Sequence, residues 1–230
     1  MLLIAEIGLN HDGSLPLARE LIREAARCGA DVAKFQIGWR SGPGEINALT
    51  PEDWRGLKEA CEYEGVEFLA SVITGEALEV VKWLGCGRVK VASRTVVEAP
   101  ELVEAMMRED WEVLVSLGWW EEEGFPFGPP SERLRYLYCR SSYPTSPEEL
   151  REMPGRFGPE GYYGYSDHLL GIGGCLLAIA RGARVVEKHF TVNKAQRSVH
   201  GDHVLSADPR ELRALHEQGR ELARVVGAIT

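Results

Sequence analysis

Eight apolar runs of strand length punctuate this chain, and their rhythm constrains the fold more than any other feature. They are Leu2–Ile7, Val32–Gln36, Glu67–Ala70, Arg88–Val91, Glu112–Ser116, Leu134–Cys139, Gly161–Tyr165 and Arg184–Glu187. Their apolar residues are continuous rather than alternating, as strands covered on both faces require. Helical segments lie between them. Thr50-Pro51-Glu52-Asp53, Ser146-Pro147-Glu148-Glu149 and Asp208-Pro209-Arg210-Glu211 share one N-terminal grammar. A side-chain oxygen caps free backbone N–H groups, proline fits the first turn, and an acid follows at the third helical position. Leu17, Leu21, Ile22, Ala25 and Ala26 form the stripe of a first helix that ends at Cys28-Gly29. Eight βα units in 230 residues predict an α/β protein, a compact (β/α)8 or TIM barrel, with residues 1–230 as one catalytic domain. The fifth unit departs from the rhythm. Leu117-Gly118-Trp119-Trp120, three glutamates and Gly124-Phe125-Pro126-Phe127-Gly128-Pro129-Pro130 leave little room for a helix. The fifth helix is expected to be missing or reduced to a turn, and its aromatic cluster to plug the barrel wall or to form a subunit interface.

A net charge of −9 argues against a nucleic-acid partner, and no apolar run is long enough to span a membrane. The opening Met1-Leu2-Leu3-Ile4-Ala5-Glu6 reads as the first strand, without a basic leader, so a cytoplasmic location is expected. Five cysteines, Cys28, Cys61, Cys86, Cys139 and Cys175, are odd in number and widely spaced. That pattern fits reduced, packed thiols.

The chemistry-bearing residues gather at strand ends, where a barrel builds its site. Gly164-Tyr165-Ser166-Asp167-His168 and Val185-Val186-Glu187-Lys188-His189 each end a strand on a histidine, with one helix-length segment between them. Two imidazoles on adjacent strand ends, with carboxylates beside them, suit a catalytic divalent metal. The competing reading is one capping and one packed histidine. Lys34 and Lys90 lie inside strand patterns, where an unpaired cation is costly to bury. Ser71, Ser93, Ser116, Ser141 and Ser166 end strands around them. Together they suit a small multiply charged anion such as a phosphate or carboxylate. The alternative is a structural pairing of the lysines with Glu6 or Glu187.

Several segments together resemble the sialic acid synthase family. They are Ile4–Gly13, Gly29–Gln36, Lys90-Val91-Ala92-Ser93, Tyr138–Thr145, Gly164–His168, Glu187–Thr191 and Gly201-Asp202-His203, in order over about residues 2 to 220. The resemblance implies an N-acetylneuraminate synthase-like transferase of carbohydrate biosynthesis. Such an enzyme joins phosphoenolpyruvate to an N-acetylmannosamine-like aldehyde sugar, giving a nonulosonic 2-keto-3-deoxy acid and phosphate. It implies that His168 and His189 hold a divalent metal, usually manganese, with magnesium and cobalt as alternatives. Lys34, Ser71, Lys90, Ser93, Ser116, Ser141 and Ser166 would surround phosphoenolpyruvate. Glu6, Gln36, Tyr143 and Asp202 would face the sugar and the reacting centre, with Glu187 beside them.

The departures concern the sugar and the assembly. The loop Ile37–Leu49 is short where the family carries a long insertion, and Ser141 stands where asparagine is more usual. The family continues into a small antifreeze-like domain that supplies an arginine to a partner's sugar site, whereas this sequence ends at Thr230. A different acceptor, or a separate antifreeze-like polypeptide, is therefore expected, along with a homodimer by analogy. A repurposed metal aldolase or lyase, and a catalytically silent barrel that binds phosphoenolpyruvate or another small anionic metabolite, are the alternative readings.

Overall fold

A computed structural model describes residues 1–198 and 201–229. Eight parallel strands close a barrel in sequence order. They are β1 (Leu2–Gly8), β2 (Val32–Ile37), β3 (Glu67–Val72), β4 (Arg88–Val91), β5 (Glu112–Ser116), β6 (Leu134–Cys139), β7 (Tyr162–Asp167) and β8 (Val185–His189). Helices α1 (Leu15–Arg27), α2 (Pro51–Glu64), α3 (Gly75–Trp83), α4 (Ser93–Glu98), α5 (Pro100–Arg108), α6 (Gly173–Ala180) and α7 (Pro209–Ile229) cover the outside. The last two strands run past their expected ends, to Asp167 and His189, because ladder pairing continues through the polar residues there.

The capping grammar holds at α2, where Thr50 and Asp53 form a reciprocal box, and at α7, where Asp208 accepts from Arg210 and Glu211. Ser146 and Glu149 form the same box, yet the expected helix is only a single 3-10 segment, Pro147–Glu152. A good cap cannot extend a helix past the break at Met153-Pro154-Gly155.

No helix stands between β5 and β6, as the glycine and proline breaks imply. The segment closes the wall instead. Phe125 stacks on Tyr136 at 4.3 Å and meets Tyr162 edge-on at 5.5 Å. The Tyr136 hydroxyl accepts from Phe127 N and donates to the Gly128 carbonyl. The aromatic cluster is thus largely a wall plug rather than a free face. All five cysteines are reduced and buried. Among the described residues no helix is long and apolar enough to cross a membrane.

Two apolar layers form the core. The larger lies between the strands and the helices. The smaller fills the barrel floor with Ile4, Val32, Leu69, Leu114, Leu137 and Val185. Strand side chains alternate faces, so a step of two residues from that floor points inward again, one layer higher. The step leads from Ile4 to Glu6, Val32 to Lys34, Leu69 to Ser71, Leu114 to Ser116, Leu137 to Cys139 and Val185 to Glu187. The hydrocarbon floor therefore carries a polar layer directly above it.

Candidate active site

The ladder register turns that polar layer into a ring. Glu6 lies opposite Lys34, Ser71 opposite Lys90, Cys139 opposite Ser166, and Ser166 opposite Glu187. Above the ring a cleft of about 340 Å³ opens at the C-terminal end of the strands. Every residue singled out from the sequence lines it: Glu6, Lys34, Gln36, Ser71, Lys90, Ser93, Ser116, Ser141, Tyr143, Ser166, His168, Glu187, His189 and Asp202.

The two lysines are not equivalent. Lys34 Nζ sits 2.9 Å from Glu6 Oε2 and 3.5 Å from Glu187 Oε1, and it donates to Ser71 Oγ at 3.0 Å. Burial works against its charge, but Glu187 and Glu6 hold its pKa above the usual lysine value. Lys90 Nζ donates to Ser116 Oγ at 2.7 Å and to the Val91 carbonyl at 3.1 Å, while its carboxylate neighbour, Glu187 Oε2, is 4.0 Å away. Burial pushes the Lys90 ammonium below its usual range. The structural Lys–Glu pairing therefore describes Lys34, whereas Lys90 is an underpaired buried cation that an anion would complete.

The carboxylates split in the same way. Burial, reinforced by Glu187, raises the Glu6 pKa despite the pull of Lys34. Burial alone would also raise Glu187, but Lys34, Lys90 and the Ser166 hydroxyl (2.8 Å) hold it down to about 2. Glu187 is the fixed anion of the ring. Glu6, which accepts from Gln36 Nε2 at 2.8 Å, is the carboxyl poised to exchange a proton.

The two histidines converge with ring centroids 5.4 Å apart, and the Tyr143 ring lies 4.2 Å from that of His168. The 2.7 Å contact from His168 Nδ1 to the Arg140 carbonyl requires a proton on Nδ1. In the neutral ring the Nε2 lone pair is then free. Burial pushes His189 down to about 3, so this imidazole is neutral, and its buried Nδ1 has no hydrogen-bond partner. Asp202 Oδ2 lies 3.6 Å from it. An orphaned neutral imidazole beside a ring locked in one tautomer fits a divalent cation. Among the described residues no three His, Cys, Asp or Glu side chains converge on one point. The protein would supply two nitrogens and leave the remaining positions to water and substrate.

The cleft also holds residues that strand reading passed over: Trp39, Arg40, Ile73, Ala92, Arg94, Trp119 and Cys139. Cys139 was legible from alternation, two residues beyond Leu137. Its Sγ lies 3.8 Å from His168 Nδ1. The others follow strand ends, in loops or, for Arg94, in the first turn of α4, where no strand periodicity marks an inward side.

Comparison with known proteins agrees with this architecture. The NeuB family model matches residues 45–230. An uncharacterized protein of Methanocaldococcus jannaschii is 32% identical, over 98% of this chain and 72% of its own. Human N-acetylneuraminate-9-phosphate synthase is 30% identical, over 99% and 72%. The solved structure of an N-acetylneuraminic acid (sialic acid) synthetase from Leptospira borgpetersenii matches with a TM-score of 0.80 at 27% identity, covering 100% of this chain and 86% of that one. The barrel, the ordered motifs and these matches place the chain in the NeuB family of sialic acid synthase-like enzymes.

Proposed function

We propose that this protein condenses phosphoenolpyruvate with an N-acetylmannosamine-like aldehyde sugar, releasing phosphate and a nonulosonic 2-keto-3-deoxy acid, with a divalent metal, manganese first, as cofactor. The observation that carries the reading is the underpaired Lys90 in a ring of hydroxyls, facing two histidines and a pair of carboxyls with opposite shifts.

Lys90 and the serines at 71, 93, 116, 141 and 166 bind the phosphate and carboxylate of phosphoenolpyruvate, with Lys34 beside them but already paired with Glu6 and Glu187. They hold its C3 toward the aldehyde and remove the entropy cost of alignment. His168 and His189 would hold the metal, which when bound would supply Lewis acidity at the aldehyde oxygen. The electron pair of the C2–C3 double bond forms the new C–C bond, and the aldehyde oxygen takes a proton. Water adds to C2, and Glu6, oriented by Gln36, accepts its proton. The C2–O bond then breaks, phosphate leaves with the bridging oxygen and takes up the proton of the C2 hydroxyl, and C2 becomes a ketone. Tyr143 and Asp202 line the acceptor side.

The test is consumption of phosphoenolpyruvate across a panel of aldehyde sugars with manganese and with a chelator. Metal-dependent and acceptor-dependent release of phosphate that carries a heavy-oxygen label from the bridging position supports the reading. Label left in the organic product refutes C–O cleavage. Tight phosphoenolpyruvate binding without turnover favours the silent-barrel alternative.

A further inference from the structure

Side chains alternate faces along the last two strands. Ser166 and Glu187 belong to the inward ring, and His168 and His189, two residues further on, line the cleft with them. Asp167 and Lys188 lie between those inward residues, so they point outward, and the ladder sets them opposite each other. Lys188 Nζ is 3.3 Å from Asp167 Oδ2, both side chains are fully buried, and neither lines the cleft. The chemistry above makes no use of this ion pair.

Both partners grip the backbone that follows His168. Asp167 Oδ1 accepts from the Leu169 N–H at 2.8 Å, and Lys188 Nζ donates to the Leu169 carbonyl. Asp167 is itself held from two sides. The Tyr165 hydroxyl donates to Oδ1 at 2.9 Å, and Cys175 Sγ of α6 donates to Oδ2 at 3.4 Å. Gly174 admits this arrangement, since a Cβ there would stand only 3.0 Å from Asp167 Oδ1. Stability alone does not account for the pair. Desolvating two charges costs about as much as their attraction returns, and an apolar pair of like volume is often as stable. Apolar packing is non-directional, however, whereas these bonds fix one backbone against another.

We propose that Asp167 and Lys188 are a positioning pair that sets the separation of His168 and His189, and with it the affinity for the divalent ion these histidines would hold. This rests on the metal reading proposed above. The β7–β8 register ends at Asp167 and Lys188, so the sheet does not itself tie His168 to His189. The bond from Lys188 to the Leu169 carbonyl supplies that tie from outside the barrel. The imidazole centroids lie 5.4 Å apart, and each ring is carried by the neighbour in sequence of one member of the pair. A site with two protein ligands depends on holding them to within about 0.5 Å, which a supporting shell provides.

The experiment titrates manganese calorimetrically into the metal-free full chain, and phosphoenolpyruvate separately without metal. The double variant Asp167→Asn, Lys188→Met keeps the volume and strands no buried charge, so cooperative unfolding should survive. Its manganese Kd should rise about 10- to 100-fold, the usual cost of losing the support of a metal ligand. Its phosphoenolpyruvate Kd should move less than about twofold, because the ring around Lys90 points the other way. Unchanged manganese affinity overturns the proposal, and so does equal weakening of both ligands, which a merely structural pair would give. If the double variant does not fold, Tyr165→Phe decides. It removes one bond to Asp167 and keeps the ion pair, so manganese Kd should rise about threefold, and no rise refutes the proposal. If the wild type binds no manganese, the metal reading fails, and histidine ring-nitrogen NMR tests the positioning separately. The single tautomer that the Arg140 carbonyl imposes on His168 should give way to a mixture in the double variant, and an unchanged spectrum refutes the proposal.

Discussion

Replacing Lys90 with methionine should weaken anion binding and strengthen the fold. Lys90 is almost wholly buried, and its ammonium has two neutral hydrogen-bond acceptors and a carboxylate 4.0 Å away. Methionine has nearly the same length and no charge to desolvate. Losing charge-assisted hydrogen bonds to phosphoenolpyruvate costs about 1.5–3 kcal/mol, or on the order of 10- to 150-fold in affinity. Burial lowers the folded-state pKa of Lys90 below its unfolded value of about 10.4. Below the folded-state pKa both states carry the proton, and the folded state bears the penalty of burial. Stability therefore rises as pH climbs through the folded pKa toward the unfolded one. Lys90→Met removes that penalty and should lack the rise. A gain of about 1 kcal/mol corresponds to roughly 2–4 °C in Tm for a chain of this size. Lys34→Met is the contrast. It leaves Glu6 and Glu187 buried without their cation at 2.9 and 3.5 Å, and breaking a buried pair costs about 3–5 kcal/mol. Calorimetric titration of phosphoenolpyruvate and thermal unfolding from pH 7 to 10 measure both effects. Equal destabilisation by the two substitutions, or unchanged phosphoenolpyruvate binding by Lys90→Met, would refute the unequal pairing on which the argument depends.

Other substitutions probe the metal, the wall and the ladder. His189→Ala should abolish manganese binding and turnover while circular dichroism stays native, because the ring makes no hydrogen bond through Nδ1; full turnover would remove the metal assignment. Phe125→Ala deletes half of the 4.3 Å stack on Tyr136 and should cost about 2 kcal/mol in urea unfolding, given its partial burial. A loss below a few tenths would show that the segment does not seal the wall. Gly164→Ala would drive a Cβ into the Val185 carbonyl of the neighbouring strand, so the variant should lose about 3 kcal/mol or fail to accumulate. A native Tm would disprove that close approach.

The barrel and most of its cleft were legible because both depend on local periodicity. Continuous apolar runs gave strand positions to within a few residues, and polar residues at their ends mark the rim. The absent fifth helix was equally local, written in Gly124, Pro126, Gly128 and Pro129. The short 3-10 segment after Ser146 was misread because a cap marks a beginning and says nothing of length.

What a histidine or lysine does inside the cleft is not a local property. The sequence by itself determined eight parallel strands, an inward polar layer two residues above an apolar floor, and two histidines on adjacent strand ends. Only the tertiary structure decided that Lys34 sits between Glu6 and Glu187 while Lys90 does not, and that Glu6 and Glu187 shift in opposite directions. Only there do Trp39 and Trp119, which follow β2 and β5, enclose an arginine that follows β4. Periodicity acts over two to four residues, whereas electrostatic energies depend on distances of a few ångströms between groups far apart in the chain. Those distances exist only once the barrel has closed.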